Sequence, residues 1–426
     1  MKIQAIKGTR DFYPEVMRVR NYILDAWRRV SLRNGFEEYD APILESLSLF
    51  TIKSGEEIAE QLFSFTDRGN RDIAMRPELT PSLARMVASK INTLPRPIKW
   101  FSMPRLFRAE RPQRGRLREF FQWNIDIIGE DSIQADAECI YTLIDFLREV
   151  KLTPADIQVH IGLRPAVSAM LKQYGVADER MDKAFLALDK KPKLPAAAFE
   201  TMMTELGLSA EQTVSITTFM DCPSDEAIAQ LASIEGIEEH ATNLQRLYDT
   251  LKTMGVADYI RFDFHIVRGL AYYTGVVYEA LAAGERAVAG GGRYDNLLQL
   301  VGGPAAGATG FGMGDVVLGI LLDEKGKLPE DLQSPSLDVF VIDAGDDTDG
   351  AMLQLVGELR ERGVVCDYSF KRAKVAKQLK EANRRGAKQV ILIEQADLTA
   401  AGSLSVKTFA TGEQTTMTKE DLFASL

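Results

Sequence analysis

Between Phe101 and Gly129 the chain reads FSMPRLFRAERPQRGRLREFFQWNIDIIG, and this stretch restricts the fold more than any other. Six arginines, at 105, 108, 111, 114, 116 and 118, fall inside fourteen residues, broken only by a Pro-Gln-Arg-Gly turn signal. Phe121, Trp123, Ile125 and Ile127 then alternate with Gln122, Asn124 and Asp126. That is the period of a strand whose two faces differ, one wholly apolar and one carrying two amides and a carboxylate. A half-buried strand with a solvated face would more often show Lys, Glu or Thr there. An amide and acid row beside clustered guanidiniums reads as a pocket wall for a small amino-bearing ligand next to a phosphate site. The plain alternative is a basic surface hairpin.

The 426 residues, 46% hydrophobic and 26% charged, are enough for two or three cores. No apolar run approaches membrane-spanning length, and MKIQAIKGTRDFYP lacks the apolar centre of a signal peptide, so the expected compartment is cytoplasmic. Cysteines at 139, 222 and 366 and histidines at 160, 240 and 265 offer neither a disulfide framework nor metal-ligand spacing; no metal site is expected from side chains alone. A net charge of −10 argues against general affinity for nucleic acid. Any such partner must meet a local basic patch. Residues 371–388, KRAKVAKQLKEANRRGAK, provide one, with eight Lys and Arg against the single acid Glu381; a solvated helix face and a phosphate-tracking face fit it equally.

The order of elements is legible. Val16, Val19, Ile23, Trp27 and Val30 form one stripe of a helix over 15–34, with Pro14 at its start and Gly35 at its end. Strands and turns follow to about residue 129, then a helix near 133–150 and a short strand, IQVHI. Residues 164–255 carry helical spacing with Gly and Pro breaks and read as a helical insertion. Strand-like runs return over 260–281, followed by a Gly-rich turn and a helix from about 313. Residues 323–336 are polar and Pro-bearing, a linker. LDVFVID, a helix, VVCDYSF, the basic helix and QVILIE then alternate as β-α-β-α-β, a small α/β domain with parallel strands. The expected division is 1–325 with its insertion at 164–255, the linker 323–336, and 337–426.

Three further segments carry chemistry. Met75-Arg76-Pro77-Glu78-Leu79-Thr80-Pro81 pins a carboxylate and a hydroxyl between prolines, suited to a ligand ammonium, or equally to a structural loop. Val267-Arg268-Gly269-Leu270-Ala271-Tyr272-Tyr273-Thr274-Gly275 sets a lone arginine and adjacent tyrosines after an apolar run. Gly290-Gly291-Gly292-Arg293-Tyr294-Asp295 allows close approach of a ligand to the backbone, or a tight hairpin. Gly310-Phe311-Gly312-Met313-Gly314 has no convincing strand before it and is not a dinucleotide-binding turn. No GxxxxGK[ST] and no GxSxG occurs.

Together these segments resemble the histidyl-tRNA synthetase family, class II aminoacyl-tRNA synthetases, over nearly the whole chain. KGTRDFYP is similar to the family's N-terminal signature, FRAERPQRGRLREFFQ to motif 2, and RGLAYYTG and GGGRYD to its two histidine-binding segments. The resemblance implies an α+β fold: an antiparallel-sheet catalytic domain with a helical insertion, and a small C-terminal α/β anticodon-binding domain. It implies ATP-dependent activation of L-histidine to histidyl-adenylate and transfer to the 3′ end of tRNA(His). ATP is then a substrate, Mg²⁺ its companion, and a homodimer paired near Tyr39–Glu45 the expected assembly. Arg108 would hold the α-phosphate and the histidine carboxylate, with Arg268 approaching the same phosphorus from the other side. Glu110 would meet the adenine amino group, Phe120 would stack on the ring, and Arg116 would reach the outer phosphates. Glu78, Thr80 and Gln122 would surround the α-amino group. Asp126 and Tyr273 would grip the imidazole, with Tyr272 and Tyr294 completing the wall.

Three positions depart from the commonest family pattern. Asp126 stands where many members have Glu, Ala271 replaces an Asp, and Val317 occupies the position of the motif 3 arginine that touches the γ-phosphate. GFGxGD together with RGLAYY is similar to the plant-organelle-type subfamily. Arg293 or a motif 2 arginine is the expected substitute for the missing charge. The alternative is the family's regulatory paralogue, which senses histidine and charges no tRNA; it usually lacks the C-terminal domain and erodes motif 2, both of which this chain keeps.

Overall fold

A computed structural model describes residues 3–51, 61–191, 194–232, 234–268, 272–284, 286–333, 337–371, 373–395 and 402–425. Ala271, Arg372 and the linker residues 334–336 lie outside them. Contacts divide the chain into two units, Met1–Asp11 with Arg20–Leu328, and Phe12–Val19 with Pro329–Leu426.

The first unit is organised by strands β1 (Glu37–Glu38), β2 (Leu44–Ser46), β3 (Ser64–Thr66), β4 (Asp72–Met75), β5 (Ile98–Ser102) and β6 (Arg105–Phe107). They are followed by β7 (Glu119–Ile128), β8 (Gln158–Leu163), β9 (Ile260–Phe262), β10 (Val276–Leu281), β11 (Ala289–Arg293) and β12 (Ala308–Gly314). The main sheet runs β1-β5-β7-β12-β11-β10-β8-β9, with β6 on the early part of β7. All its pairs are antiparallel except β1 with β5 and β8 with β9. A small sheet, β2-β4-β3, stands apart.

The alternation along β7 decides the layering. Its apolar face packs under the helices Pro14–Arg33 and Ile133–Glu149, where Trp123 lies 6.1 Å from Trp27, 5.4 Å from Phe146 and 5.0 Å from Phe311, centroid to centroid. The Trp123 indole N–H donates to Ser31 Oγ at 2.8 Å, so the buried ring leaves no polar atom unpaired. The opposite face of β7 is covered as well, with Asn124 and Asp126 each only 3% exposed. The polar row is therefore enclosed.

Two expectations for this unit need correction. Gly290-Gly291-Gly292 is no turn but the middle of β11, and Gly310–Gly314 belongs to β12. Side chains arriving from other elements fill the space above these glycines, which the local sequence does not announce. Likewise 260–281 is not continuously extended: β9 ends at Phe262 and β10 begins at Val276. The chain leaves the sheet between them and crosses over β8 at Gly162, where a Cβ would collide with the Ile266 carbonyl. Arg268 in this crossing takes φ 53°, left-handed and uncommon outside glycine. Residues 164–255 are helical, from Arg164–Gln173 to Glu238–Thr253, without a strand among the described residues. The helix Ala210–Met220 opens with a capping box: Gln212 N–H donates to Ser209 Oγ, and Ser209 N–H donates to Gln212 Oε1.

In the second unit, β13 (Leu337–Asp343), β14 (Cys366–Tyr368) and β15 (Ala387–Ile393) are parallel in the order β14-β13-β15. The sheet continues antiparallel through β16 (Ser403–Thr408) and β17 (Gln414–Thr418), so it is mixed where the sequence suggested parallel strands alone. On the helix Val375–Arg384, Leu379 and Ala382 face a core with Phe340 and Val390, while Lys377, Lys380 and Arg384, and Lys374 just before its start, are exposed.

Candidate active site

The enclosed face of the main sheet has a floor of glycines. In register, Asp126 lies opposite Gly310, Asn124 opposite Gly312 and Gln122 opposite Gly314. Next over, Gly310 meets Gly292 and Gly312 meets Gly290. A Cβ on Gly312 would stand 2.8 Å from the Gln122 amide carbon, and one on Gly310 2.6 Å from Asp126 Oδ1 and 2.9 Å from Tyr294 Oη. On Gly290 it would stand 2.6 Å from the guanidinium carbon of Arg268. Polar side chains thus lie flat along the sheet, in a trough that any larger residue would fill.

At one end of the trough the Tyr294 hydroxyl donates to Asp126 Oδ1, while Asp126 Oδ2 is buried without a partner. Burial pushes the Asp126 carboxyl up to about 7, and the tyrosine bond restrains the rise. Tyr272, Tyr273 and Tyr294 form an aromatic wall with centroids 4.9, 5.9 and 6.5 Å apart. Tyr39, 5.5 Å from Trp100, closes the near side, and its hydroxyl is buried and unpartnered.

At the other end, Pro77 and Glu78 lead into the helix Thr80–Lys90, with Thr80 half-buried at its first position. Glu78 Oε2 accepts from the Tyr272 hydroxyl at 3.2 Å, and Oε1 is buried without a partner. Burial raises the Glu78 carboxyl; Arg108, the Tyr272 bond and Arg268 oppose the rise. Arg108 donates Nε to the Pro77 carbonyl at 3.0 Å and lies 5.1 Å from the Phe120 ring centroid. Burial lowers its pKa, countered by Glu78 and Glu110. Arg268 is paired with Glu279 and stands 5.8 Å from the Tyr273 ring, with Nε buried and unpartnered. Two guanidiniums and a carboxylate thus border one space, each with hydrogen-bonding capacity left over.

The motif 2 arginines are mostly engaged. Arg116 pairs with Glu110, Arg105 with Glu119 at 2.8 Å and Arg114 with Glu324 at 2.5 Å; Arg118 donates to the Glu110 and Lys7 carbonyls. Arg293 cannot replace the missing motif 3 charge. It points behind the sheet, 9% exposed, where Asp136 takes two of its bonds at 3.0 and 2.7 Å. The Glu130 and Ser132 carbonyls and Asp295 take the rest. Val317 is buried in the helix Asp315–Glu324.

Sequence reasoning passed over Glu279, and it placed Tyr39 at the expected dimer segment rather than in the site; Asn124 it set in the pocket-wall row without a role of its own. Glu279 had a signal, a lone acid inside VVYEAL; Tyr39 had none.

A family model described as histidyl-tRNA synthetase matches residues 8–314, and one described as an anticodon-binding domain matches residues 338–426. The chain is 39% identical over 419 residues to the chloroplastic/mitochondrial histidine–tRNA ligase of Arabidopsis thaliana, covering 98% of this chain and 85% of that one. It is 39% identical to the histidine–tRNA ligase of Opitutus terrae, covering 99% and 97%. Among solved structures, the histidyl-tRNA synthetase of Nostoc sp. PCC 7120 shares the fold at a TM-score of 0.82 and 24% identity, covering all of both chains. With an enclosed trough, two converging arginines and near full-length kinship in agreement, the chain belongs to the histidyl-tRNA synthetase family.

Proposed function

We infer that this chain is a histidine–tRNA ligase, which couples ATP cleavage to formation of histidyl-adenylate and then charges tRNA(His). The observation that carries the reading is the trough itself. It holds a carboxylate–tyrosine pair at one end and Arg108 and Arg268 around Glu78 at the other. In the proposed reaction a histidine carboxylate oxygen bonds to the α-phosphorus of ATP, and pyrophosphate leaves with the electrons of the broken P–O bond. Arg108 and Arg268 flank that phosphorus and hold the charge that grows on its oxygens. Glu78, Thr80 and Gln122 receive the α-ammonium. Asp126 and Tyr273 hold the imidazole between Tyr272 and Tyr294, and the unpartnered Asp126 Oδ2 supports this by its need for a donor. Phe120 and Glu110 take the adenine. Arg116 reaches the outer phosphates by leaving Glu110.

Mg²⁺ is proposed as the companion of the triphosphate. Among the described residues no group of three or more His, Cys, Asp or Glu side chains is placed to hold a metal. The lysine face of the helix Val375–Arg384 is proposed to meet the tRNA. A homodimer is supported by Ile43, Leu44 and Phe65, 46, 46 and 50% exposed around β2 and β3; sedimentation at the mass of one 47.3 kDa chain would rule it out. Three unpaired cysteines suit the reducing cytoplasm. Among the described residues no helix is long and apolar enough to cross a membrane. The test is histidine-dependent exchange of pyrophosphate into ATP, followed by charging of tRNA. Exchange by histidine alone among the amino acids is expected; histidine binding without exchange would overturn the reading.

A further inference from the structure

The outer phosphates of ATP need cationic donors, and in the arginine cluster Arg111 is exposed and without a hydrogen bond or ion pair among the described residues, while its neighbours are engaged. Arg116, Arg105 and Arg114 are each matched by a glutamate, Arg118 serves backbone carbonyls, and Arg293 is buried behind the sheet. Arg286, outside the cluster, is open in the same way as Arg111. It lies on the connection from β10 to β11, is exposed, and is engaged by no hydrogen bond or ion pair among the described residues.

Its position is specific. Gly115, left-handed at φ 72° in the turn where Gln113 and Arg116 exchange backbone hydrogen bonds, is flanked on its open side by two side chains. A Cβ there would stand 3.0 Å from Val317 Cγ2 and 3.7 Å from Arg286 Cδ. The stem of Arg286 therefore rests on the arginine-bearing turn, beside the valine that occupies the motif 3 position. The connection is held at that height because Gly314 N–H donates to the Val288 carbonyl at 3.2 Å, tying it to the start of the helix that carries Val317.

We propose that Arg286 is a further phosphate-binding residue of the site, supplying from the β10–β11 connection the charge that Val317 cannot. In the step already described, the bond from the α-phosphorus to the bridging oxygen breaks and pyrophosphate departs. Arg286 donates to the oxygens of that departing group and transfers no proton. The proposal rests on the ligase reading.

The test is histidine-dependent pyrophosphate exchange by the full-length Arg286→Gln variant, which keeps much of the stem and loses the charge. One charge-assisted hydrogen bond predicts a fall of about 10- to 100-fold in kcat/KM for ATP. The KM for histidine and inhibition by AMP, which has no outer phosphates, stay within about twofold of wild type. An unchanged kcat/KM for ATP overturns the proposal, and so does equal weakening toward AMP and ATP, which would mark a merely structural role. A wild-type chain without exchange would instead overturn the ligase reading, and this one with it.

Discussion

Asp126 is a carboxyl held where ionisation is costly. Burial places its folded-state pKa near 7, against an ordinary 3.8. Between those values the folded chain binds the proton that the unfolded chain releases, so this group makes stability fall as pH rises from about 4 to 7, then level off. Asp126→Asn removes the titration. Its advantage over wild type is expected to be absent near pH 4 and to reach about 4 kcal/mol at pH 8, an upper figure set by linkage. Urea unfolding at both pH values checks this, and a pH-independent difference would refute it. The same substitution is expected to abolish histidine binding, since an amide offers the imidazole N–H a weaker acceptor. The site residue is thus one the fold would be more stable without.

Among the elements, β11 separates two kinds of glycine. Beside Gly290 the nearest atoms belong to the Arg268 guanidinium, the far end of a flexible side chain. Beside Gly291 they include the Phe311 backbone, whose Cα would stand 2.8 Å from a Cβ at this position. Gly290→Ala is therefore expected to fold within about 1 kcal/mol of wild type while losing adenylate formation by about 100-fold, as Arg268 is pushed from its place. Gly291→Ala is expected to cost about 2 kcal/mol or more, because backbone must move. Thermal unfolding beside pyrophosphate exchange separates the two, and the reverse pattern would refute the assignment. This contrast also marks how far the sequence could be read. The amide and acid row of β7 and the helical insertion rest on local periodicity, and periodicity survives without neighbours; the roles of the tyrosine pair rest on the family resemblance of RGLAYYTG. GGGR carries no apolar alternation, so its strand character depends on register with β10 and β12 and on side chains crossing above it. Arg293 was misassigned because its partner Asp136 lies 157 residues away. β16 and β17 went unread because the segment they form is short and mostly polar.

For the whole molecule, the small unit and the large one are proposed to divide tRNA reading from chemistry. Lys377 and Lys380 sit on the exposed face of the helix Val375–Arg384, away from its core residues. Lys377→Glu with Lys380→Glu is expected to raise the KM for tRNA about 10-fold or more and to flatten its salt dependence. Histidine-dependent exchange, which needs no tRNA, should be unchanged. Charging assays across a salt series check this; a parallel loss of exchange would mean the double variant had disturbed the catalytic unit instead.

The bond between Arg293 and Asp136 has a consequence for how faithfully the trough is assembled. Arg293 and Tyr294 are consecutive and face opposite ways, one locked behind the sheet and the other bonded to Asp126 in front. A slip of one residue along this stretch would swing the guanidinium into the trough and the tyrosine into the rear layer, stranding Asp136 without its counter-charge. The pair behaves as a locating pin: a misaligned site forfeits its anchor as it forms. Whatever discrimination among amino acids the trough provides therefore depends on a register that this buried ion pair helps to fix.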